Sequence, residues 1–213
     1  MKRSTILLAD DHAVVIEGLR RILDRRDFKV VGVVADGRAL LQAAARLKPD
    51  LIVTDIAMPL LNGIDAAREI LAHNRKTKII FLTMHPEVAY ASAALAAGAS
   101  GYVLKSAAGE ELVGAIREVL KGRTYISETI AESVARAREI RPTKERSAID
   151  GLTGRQREVL QLLAEGRQAK EIAALLKLSP KTVEFHKYRI MDILGVRTVA
   201  DLARYAVKHG IVA

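Results

Sequence analysis

The sequence predicts an α/β domain with a doubly wound parallel sheet, followed by a smaller all-α domain. Short apolar runs alternate with segments of helical periodicity from residue 5 to about residue 122, and turn residues separate the repeating units. Beyond residue 150, every periodic segment has helical spacing. At 213 residues, the chain is long enough to form two domains that each bury a core.

Five apolar runs are predicted to be the buried strands of the first domain. They are Ile6–Ala9, Val30–Val34, Leu51–Thr54, Ile79–Leu82 and Tyr102–Leu104. The helical segments between and after them are Val14–Leu23, Ala39–Leu47, Ile64–Ala72, Val88–Ala97 and Leu112–Leu120. Five βα units with right-handed crossovers give a flavodoxin-like, five-stranded parallel sheet in the order 2-1-3-4-5.

The pattern changes after residue 126. Residues 128–139 are predicted to form a polar helix, and residues 141–147 have no apolar face. We therefore expect a partly helical linker over residues 127–150, between a first domain over 1–126 and a second over 151–213. The helices predicted for the second domain are Gly154–Leu163, Ala169–Leu176, Pro180–Leu194 and Thr198–His209.

The composition limits the classes of function. The formal net charge is +9, and residues 151–213 contain 11 Lys and Arg against 6 Asp and Glu, which favours a polyanionic partner such as nucleic acid. The absence of Cys excludes disulfides and thiolate chemistry. No apolar stretch approaches the roughly 18 to 20 residues of a membrane helix, so we expect a soluble, cytoplasmic protein.

Polar side chains follow the predicted strands at one edge of the sheet. They are Asp10, Asp11, Asp55, Thr83 and Lys105. The carboxyl ends of parallel strands meet where α/β sheets place their chemistry, so we expect these side chains to converge. Three carboxylates suit Mg²⁺, and Asp55 on the middle strand is the best-placed nucleophile for forming an acyl phosphate. Taken one at a time, aspartates at strand ends are also explained as caps of the following helices.

Residues 4–122 resemble a two-component receiver domain. The motifs that carry the resemblance are Asp-Asp, Asp-x-x-Met-Pro-x-x-Asn-Gly, Thr and Lys, in the family's order. The resemblance implies that Asp55 accepts a phosphoryl group from a sensor histidine kinase. It also implies that Asp10, Asp11 and Asp55 bind Mg²⁺ together with the backbone carbonyl of Ala57.

The same resemblance implies a switch around the phosphoacceptor. Thr83 and Lys105 would hydrogen-bond and pair with the phosphoryl oxygens, and Tyr102 would be the family's switch aromatic, unless it is an ordinary half-buried tyrosine. Lys105 is followed by Ser106 where the family usually has proline. His12 and His85 border the site, and we expect both to be solvent-facing loop histidines.

The basic C-terminal region predicts a helix-turn-helix. Ser179 and Pro180 are strong signals for a helix start, and a short helix over Lys170–Leu176 precedes them with a tight connection. The second helix of such a pair enters the major groove of DNA. Charge and periodicity alone would also fit a small protein-docking module.

Residues 151–213 resemble the LuxR-type DNA-binding domain. The matching segments include Leu152-Thr153, Lys170-Glu171-Ile172-Ala173, Lys181-Thr182-Val183, His186 and Leu194-Gly195-Val196. By resemblance, the residues that face base edges are Glu184, Phe185 and Tyr188, and those at phosphate or flanking positions are Lys181, Thr182, His186, Lys187 and Arg189. The family's usual lysine before Leu194 is Ile193 here, which removes one expected phosphate contact.

The helix over Thr198–His209 corresponds to the dimerisation helix of that family. Leu202, Tyr205 and Ala206 share one face of it, which either forms a homodimer on DNA or packs inside the domain. The whole chain thus resembles a response regulator of the NarL/FixJ type, which implies a phosphorylation-dependent transcription regulator that binds double-stranded promoter DNA.

Two other functions remain open at this stage. One is an adaptor whose C-terminal domain binds protein. The other is a Mg²⁺-dependent aspartyl-phosphate enzyme, which is disfavoured because such enzymes usually have an acid/base carboxylate two residues after the nucleophile, where this chain has Ala57. We therefore expect a protein that is not an enzyme.

Overall fold

The structure is a computed structural model that describes residues 3–24, 28–107, 109–139 and 148–212. The chain divides into two compact units, residues 1–141 and residues 142–213. Within the described residues, no helix combines the length and apolar character that crossing a membrane requires.

The first unit is built on a parallel sheet with strand order 2-1-3-4-5-6. The strands are β1 (Ser4–Ala9), β2 (Phe28–Val34), β3 (Leu51–Thr54), β4 (Lys78–Thr83), β5 (Gly101–Leu104) and β6 (Tyr125–Ile126). The predicted order of the first five strands is confirmed. The sheet has one more strand than predicted, because β6 contains only two residues and is too short to produce a periodic signal.

Helices cover both faces of the sheet, as predicted. Those of the βα units are α1 (Ala13–Asp24), α2 (Gly37–Leu47), α3 (Gly63–His73), α4 (Val88–Ala96) and α5 (Glu110–Leu120). Alternate strand residues point to opposite faces, so Leu7 and Ile52 pack with α2 to α4, whereas Ile6 and Val53 pack with α1 and α5. Each face therefore has its own apolar core.

The helix predicted within the linker packs on the first unit. It is α6 (Glu128–Glu139), and its Ile130 and Val134 are buried in the same core as α2 to α4. The buried hydroxyl of Ser127, just before α6, accepts the N–H of Leu104 at 3.1 Å and donates to Glu111 Oε1 at 2.5 Å. These bonds connect the start of α6 to β5 and α5. Residues 140–147 of the predicted linker lie outside the described residues.

The second unit is helical throughout its described length. After a 3₁₀ turn over Ala148–Gly151, its helices are α7 (Gly154–Ala164), α8 (Ala169–Leu176), α9 (Pro180–Leu194) and α10 (Val199–Lys208). Its buried core includes Leu160 of α7, Ile172 of α8, Val183 and Ile190 of α9, and Leu202 of α10. The four predicted helices are all present.

Candidate functional site

The sheet brings Asp10, Asp55 and Lys105 into direct contact at its carboxyl edge. Ala9 pairs with Thr54 in the ladder between β1 and β3, so the two following aspartates leave the sheet side by side. Lys105 Nζ lies 2.8 Å from Asp10 Oδ2 and 2.6 Å from Asp55 Oδ2. The exposed fractions of the three side chains are only 3%, 6% and 7% for Asp10, Asp55 and Lys105. One ammonium group therefore neutralises part of a buried carboxylate pair.

Burial and charge act in opposite directions on these groups. Burial raises the pKa of the Asp55 carboxyl, the Lys105 ammonium opposes that rise, and the Asp10 carboxylate adds to it. Burial lowers the pKa of the Lys105 ammonium, but its hydrogen bonds to Asp10 and Asp55 outweigh burial and raise the pKa overall. Lys105 is therefore protonated at neutral pH and provides a fixed positive charge beside the Asp55 carboxylate.

Asp11 and His12 extend this cluster towards solvent. His12 Nδ1 lies 2.9 Å from Asp10 Oδ1 and 3.0 Å from Asp11 Oδ1. One ligand atom from each of Asp10, Asp11, His12 and Asp55 lies within 4.8 Å of the others. His12 is exposed, as expected, but it also contacts both neighbouring carboxylates. Hard carboxylate oxygens grouped this closely fit a divalent cation such as Mg²⁺.

The loop after β3 holds Asp55 through a close backbone approach. Asp55 Oδ1 accepts the N–H of Ile56 at 2.6 Å, and Gly63 donates its N–H to the Ile56 carbonyl at 2.8 Å. A Cβ on Gly63 would lie 2.0 Å from the Asp55 carbonyl oxygen, so only glycine fits at this position. Gly63 is the glycine of the Asn-Gly pair in the receiver motif, but the sequence did not predict that it lets α3 approach Asp55. Ala57 lies in the same loop and is half-buried.

Thr83 and Tyr102 contact the loop between β4 and α4. Both are fully buried. The Thr83 hydroxyl accepts the N–H of His85 at 3.3 Å, and the Tyr102 hydroxyl donates to the His85 carbonyl at 2.8 Å. Among the described residues, no hydrogen bond joins Thr83 to Asp55 or Lys105. Burial raises the pKa of the Tyr102 hydroxyl, so this group remains a hydrogen-bond donor.

His85 lies in the loop after β4 that borders the site, as expected, and its ring is only partly exposed to solvent. What the sequence did not predict is that the ring stacks on Tyr90 of α4, with ring centroids 4.3 Å apart and planes 23° apart. Because its backbone bonds both Thr83 and Tyr102, His85 connects the two predicted switch residues to α4.

In the second unit, α8 and α9 form the predicted helix-turn-helix. The Ser179 hydroxyl caps α9 by accepting the N–H of Thr182 at 3.0 Å, and Pro180 occupies the first turn. Gly195 ends the helix with φ = 66°. Val183 and Ile190 are buried, whereas Phe185 and Tyr188 are 61% and 63% exposed. The helix thus has one face in the core and one face available to a partner.

The charged residues of α9 differ in how they are paired. Lys187 forms an ion pair with Glu184, and its ammonium lies 4.8 Å from the centroid of the Tyr188 ring. Arg189 Nη1 is 4.0 Å from Asp192 Oδ2. Lys181 is exposed, and no ion pair joins it to another residue in the described part of the chain.

Two further α9 residues flank this exposed face. The Thr182 hydroxyl lies 2.8 Å from Ser179 Oγ, so it takes part in the cap. His186 is half-buried, and its Nδ1 has no hydrogen-bond partner among the described residues. Both side chains are more enclosed than Phe185 and Tyr188.

The predicted dimerisation face of α10 is mostly internal. Of the two alternatives left open for this face, the structure shows internal packing for Leu202 and Ala206, which are fully buried within the second unit, where α10 packs on α7. Tyr205, on the same face, is half-buried. The large apolar residues that α10 exposes are instead Val199 and Val207. With Ala203 between them, they follow a four-residue spacing and form a stripe on a different side of the helix.

Known protein families match both units of the chain, and a curated relative is similar over nearly its whole length. Residues 6–117 match the family described as "Response regulator receiver domain", and residues 150–206 match "Bacterial regulatory proteins, luxR family". The response regulator UvrY of Escherichia coli K12 is 36% identical over 207 residues, which cover 97% of this chain and 94% of UvrY.

Solved structures of RcsB are similar to this structure over nearly the full length. RcsB from Salmonella enterica serovar Typhimurium, bound to promoter P1flhDC in the presence of the phosphomimetic BeF3⁻, is 32% identical with a TM-score of 0.64, covering 97% of this chain and 99% of RcsB. A structure of two RcsB dimers bound to two parallel DNAs is 31% identical with a TM-score of 0.61, covering 96% of this chain and 98% of that chain. The present chain therefore belongs to the response regulators that join a receiver domain to a LuxR-type DNA-binding domain, a family of phosphorylation-dependent transcription regulators.

Proposed function

We propose that Asp55 is the phosphoacceptor of this receiver domain and that its phosphorylation controls DNA binding by the second unit. The observation that supports this most directly is the Lys105 ammonium, held 2.6 Å from Asp55 Oδ2 and 2.8 Å from Asp10 Oδ2 at the carboxyl edge of the sheet. A fixed cation beside a carboxylate nucleophile favours the approach of an anionic phosphoryl donor.

The phosphoryl donor would be the phosphohistidine of a sensor histidine kinase. An Asp55 carboxylate oxygen attacks the phosphorus, the bond from phosphorus to the imidazole nitrogen breaks, and the leaving imidazole takes up a proton. The product is an acyl phosphate on Asp55. Acylation removes the negative charge of the Asp55 carboxylate, and Lys105 then pairs with a phosphoryl oxygen in its place.

Asp10, Asp11 and Asp55, with the backbone carbonyl of Ala57, would hold the Mg²⁺ ion of this site. When bound, Mg²⁺ supplies positive charge that reduces the repulsion between the carboxylates and the incoming phosphoryl group. His12 already contacts Asp10 and Asp11, so it orients both carboxylates towards the same region.

Thr83, Tyr102 and His85 would transmit the change to α4. The Thr83 hydroxyl can donate its hydrogen to a new phosphoryl oxygen, and a movement of Thr83 towards that oxygen would stretch the bond that it accepts from the His85 N–H. A shift of His85 changes both its hydrogen bond from Tyr102 and its stacking on Tyr90. A local change in charge thereby moves a helix on the surface of the receiver.

In the second unit, α9 would enter the major groove of promoter DNA. We assign the base-edge positions to Glu184, Phe185 and Tyr188. Phosphate or flanking contacts are assigned to Lys181, Thr182, His186 and Arg189, with Lys187 reserved for its ion pair with Glu184. A DNA-bound regulator of bacterial promoters works in the cytoplasm, where the DNA is.

A homodimer on DNA would use the exposed stripe of Val199, Ala203 and Val207. An apolar stripe at four-residue spacing is self-complementary across a two-fold axis, and the two-fold symmetry matches two half-sites about 10 base pairs apart. RcsB, which is similar over nearly its whole length, has been solved as dimers bound to DNA.

Turnover of other substrates is not part of this function. Asp55 is followed two positions later by Ala57, which has no acid/base group for hydrolysing or transferring the phosphoryl group further. The protein is thus a regulator rather than an enzyme.

The test is phosphorylation of the full chain by acetyl phosphate with Mg²⁺, followed by intact mass spectrometry. We expect an adduct of about 80 Da, the mass of one phosphoryl group, that is absent from Asp55→Asn and present in the matched control Asp24→Asn at an exposed aspartate. Phosphorylated wild type should also bind promoter DNA more tightly than Asp55→Asn. An adduct that persists in Asp55→Asn, or no adduct with any acyl or phosphohistidine donor, would overturn the assignment of Asp55.

A further inference from the structure

The exposed face of α9 contains two large aromatic side chains that its own unit does not bury. At about 100° per residue, Lys181, Phe185 and Tyr188 lie opposite the buried face of Val183 and Ile190. Phe185 is wholly apolar and is 61% exposed. Within the described part of the chain, its ring makes an edge-on approach to His186, with centroids 5.9 Å apart. Phe185 and Tyr188, three residues apart on the helix, form one exposed aromatic surface, and contiguous apolar surface of this kind is typical of an interaction site.

The two charges closest in sequence to Phe185 on this helix, Glu184 and Lys187, are already paired, whereas the exposed cation Arg189 lies one turn after it. Glu184 and Lys187 form an ion pair, and Lys187 also lies against the Tyr188 ring, with its own side chain only 17% exposed. The middle of the exposed face is therefore close to neutral, and the exposed cation Lys181 lies one turn towards the helix start. A neutral, apolar centre with a cation at its border suits the base edges of a duplex, whereas phosphates are contacted by cations.

The base edges of the major groove present one apolar group, the C5 methyl of thymine. We infer that Phe185 packs against a thymine methyl and makes binding depend on thymine at one position of each half-site. This inference rests on the proposed DNA-binding function, and specifies which chemical group of the DNA the exposed ring contacts. A phenylalanine has no donor or acceptor, so it distinguishes thymine from the other bases by that methyl group alone.

The experiment removes the methyl group from the DNA and the ring from the protein. Duplexes are selected from a random library at low salt with the full chain kept phosphorylated by acetyl phosphate and Mg²⁺. Each thymine of an enriched duplex is then replaced, one at a time, by deoxyuridine. For wild type, we expect deoxyuridine at one position per half-site to weaken binding about fourfold, the effect of exposing one buried methyl-sized group. For Phe185→Ala, the thymine and deoxyuridine duplexes should bind equally.

Phe185→Leu is the matched control, because leucine keeps an apolar side chain at the same position. It should retain most of the difference between thymine and deoxyuridine. Both variants are expected to fold as the wild type does, since residue 185 is outside the core, and circular dichroism checks this.

The outcomes separate the inference from the function on which it rests. The inference is overturned if replacing thymine by deoxyuridine changes the affinity of wild type and of Phe185→Ala equally at every position. The proposed DNA-binding function would stand in that case. The inference is also overturned if Phe185→Ala abolishes self-association of the chain without changing thymine preference, because Phe185 would then belong to a protein interface. If the full chain enriches no duplex, the proposed DNA-binding function itself fails, and the inference fails with it.

Discussion

The acidic edge of the receiver and the exposed face of α9 are both proposed binding surfaces, but their side chains differ in burial. Asp10, Asp55 and Lys105 are almost completely buried, and the Lys105 ammonium neutralises part of the carboxylate charge. On α9, Phe185 and Tyr188 project into solvent from a helix whose opposite face is in the core. The residues of the receiver site come from separate strands of the sheet, whereas the residues of the α9 surface come from successive turns of one helix.

This difference determines how function and stability are related in each unit. A buried charge that loses its partner destabilises the fold, so the receiver residues that we propose for phosphorylation should also determine stability. On α9, the buried and exposed positions are different residues, so binding and stability can be changed separately. The predictions that follow test this contrast.

The largest effect is expected for Lys105→Ala. It leaves the Asp10 and Asp55 carboxylates buried without their cation, and should lower the free energy of unfolding of the first unit by about 3 kcal/mol. Hydrogen exchange of the β-strand amides across a urea series, with a chelator present, measures this unit alone. Added Mg²⁺ should restore part of the loss, because it supplies positive charge to the same carboxylates.

The matched control for Lys105→Ala is Arg21→Ala, which removes a cation from an exposed pair with Glu17 on α1. Exposed pairs contribute little, so we expect a change below about 0.5 kcal/mol. If the two substitutions lower the free energy of unfolding equally, the stability of the first unit does not depend on the Lys105 ion pairs. The receiver site would then not combine binding and stability in the same residues, which is the feature that distinguishes it from α9.

On α9, we expect a buried and an exposed substitution to differ strongly in their effect on the free energy of unfolding. Ile190→Ala empties a fully buried position, and should lower the free energy of unfolding of the second unit by about 3 kcal/mol. Tyr188→Ala removes an exposed ring that contacts Lys187, and should cost less than about 1 kcal/mol. Urea unfolding followed by hydrogen exchange of the α9 amides gives both values.

DNA affinity should rank these two variants in the reverse order. Under conditions in which both are folded, Tyr188→Ala should bind a selected duplex more weakly than wild type, and Ile190→Ala should bind as wild type does. The prediction is wrong if Tyr188→Ala is strongly destabilised but binds DNA normally while folded. The exposed face of α9 would then contribute to stability rather than to DNA binding.

The sequence predicted that Asp10, Asp55 and Lys105 meet, because the topology of the sheet determines where they lie. Once β1, β3 and β5 are parallel strands in the order confirmed here, Asp10, Asp55 and Lys105 must leave the sheet at one edge, whatever their separation in the chain. The ring position of His85 and the bonds of Thr83 could not be predicted, because they depend on loop backbone and rotamers that leave no periodic signal.

What the sequence left undecided in the second unit has a similar cause. Helical periodicity placed Leu202, Tyr205 and Ala206 on one face of α10, but it could not say whether that face packs inside the unit or against a second copy; the structure buries Leu202 and Ala206. Similarly, the sequence marked Lys187 only as a basic residue at a phosphate position. Its ion pair with Glu184, three residues earlier, is a choice of side-chain conformation that spacing permits but does not require.

The smallest expected effect compares Lys181→Gln with Lys187→Gln. Each phosphate contact contributes about 0.9 to the slope of log affinity against log salt, so Lys181→Gln, which removes an exposed cation, should reduce the slope by about that amount. Lys187→Gln should leave the slope unchanged, because Lys187 is paired with Glu184 and mostly enclosed. The slopes are measured by fluorescence anisotropy on one selected duplex between low and moderate salt. If Lys187→Gln reduces the slope as much as Lys181→Gln does, Lys187 exchanges Glu184 for a phosphate on binding. The charged side chains of α9 would then change partners on contact with DNA. In that case, the pairing of Lys187 with Glu184 in the free protein would not describe the DNA-bound surface.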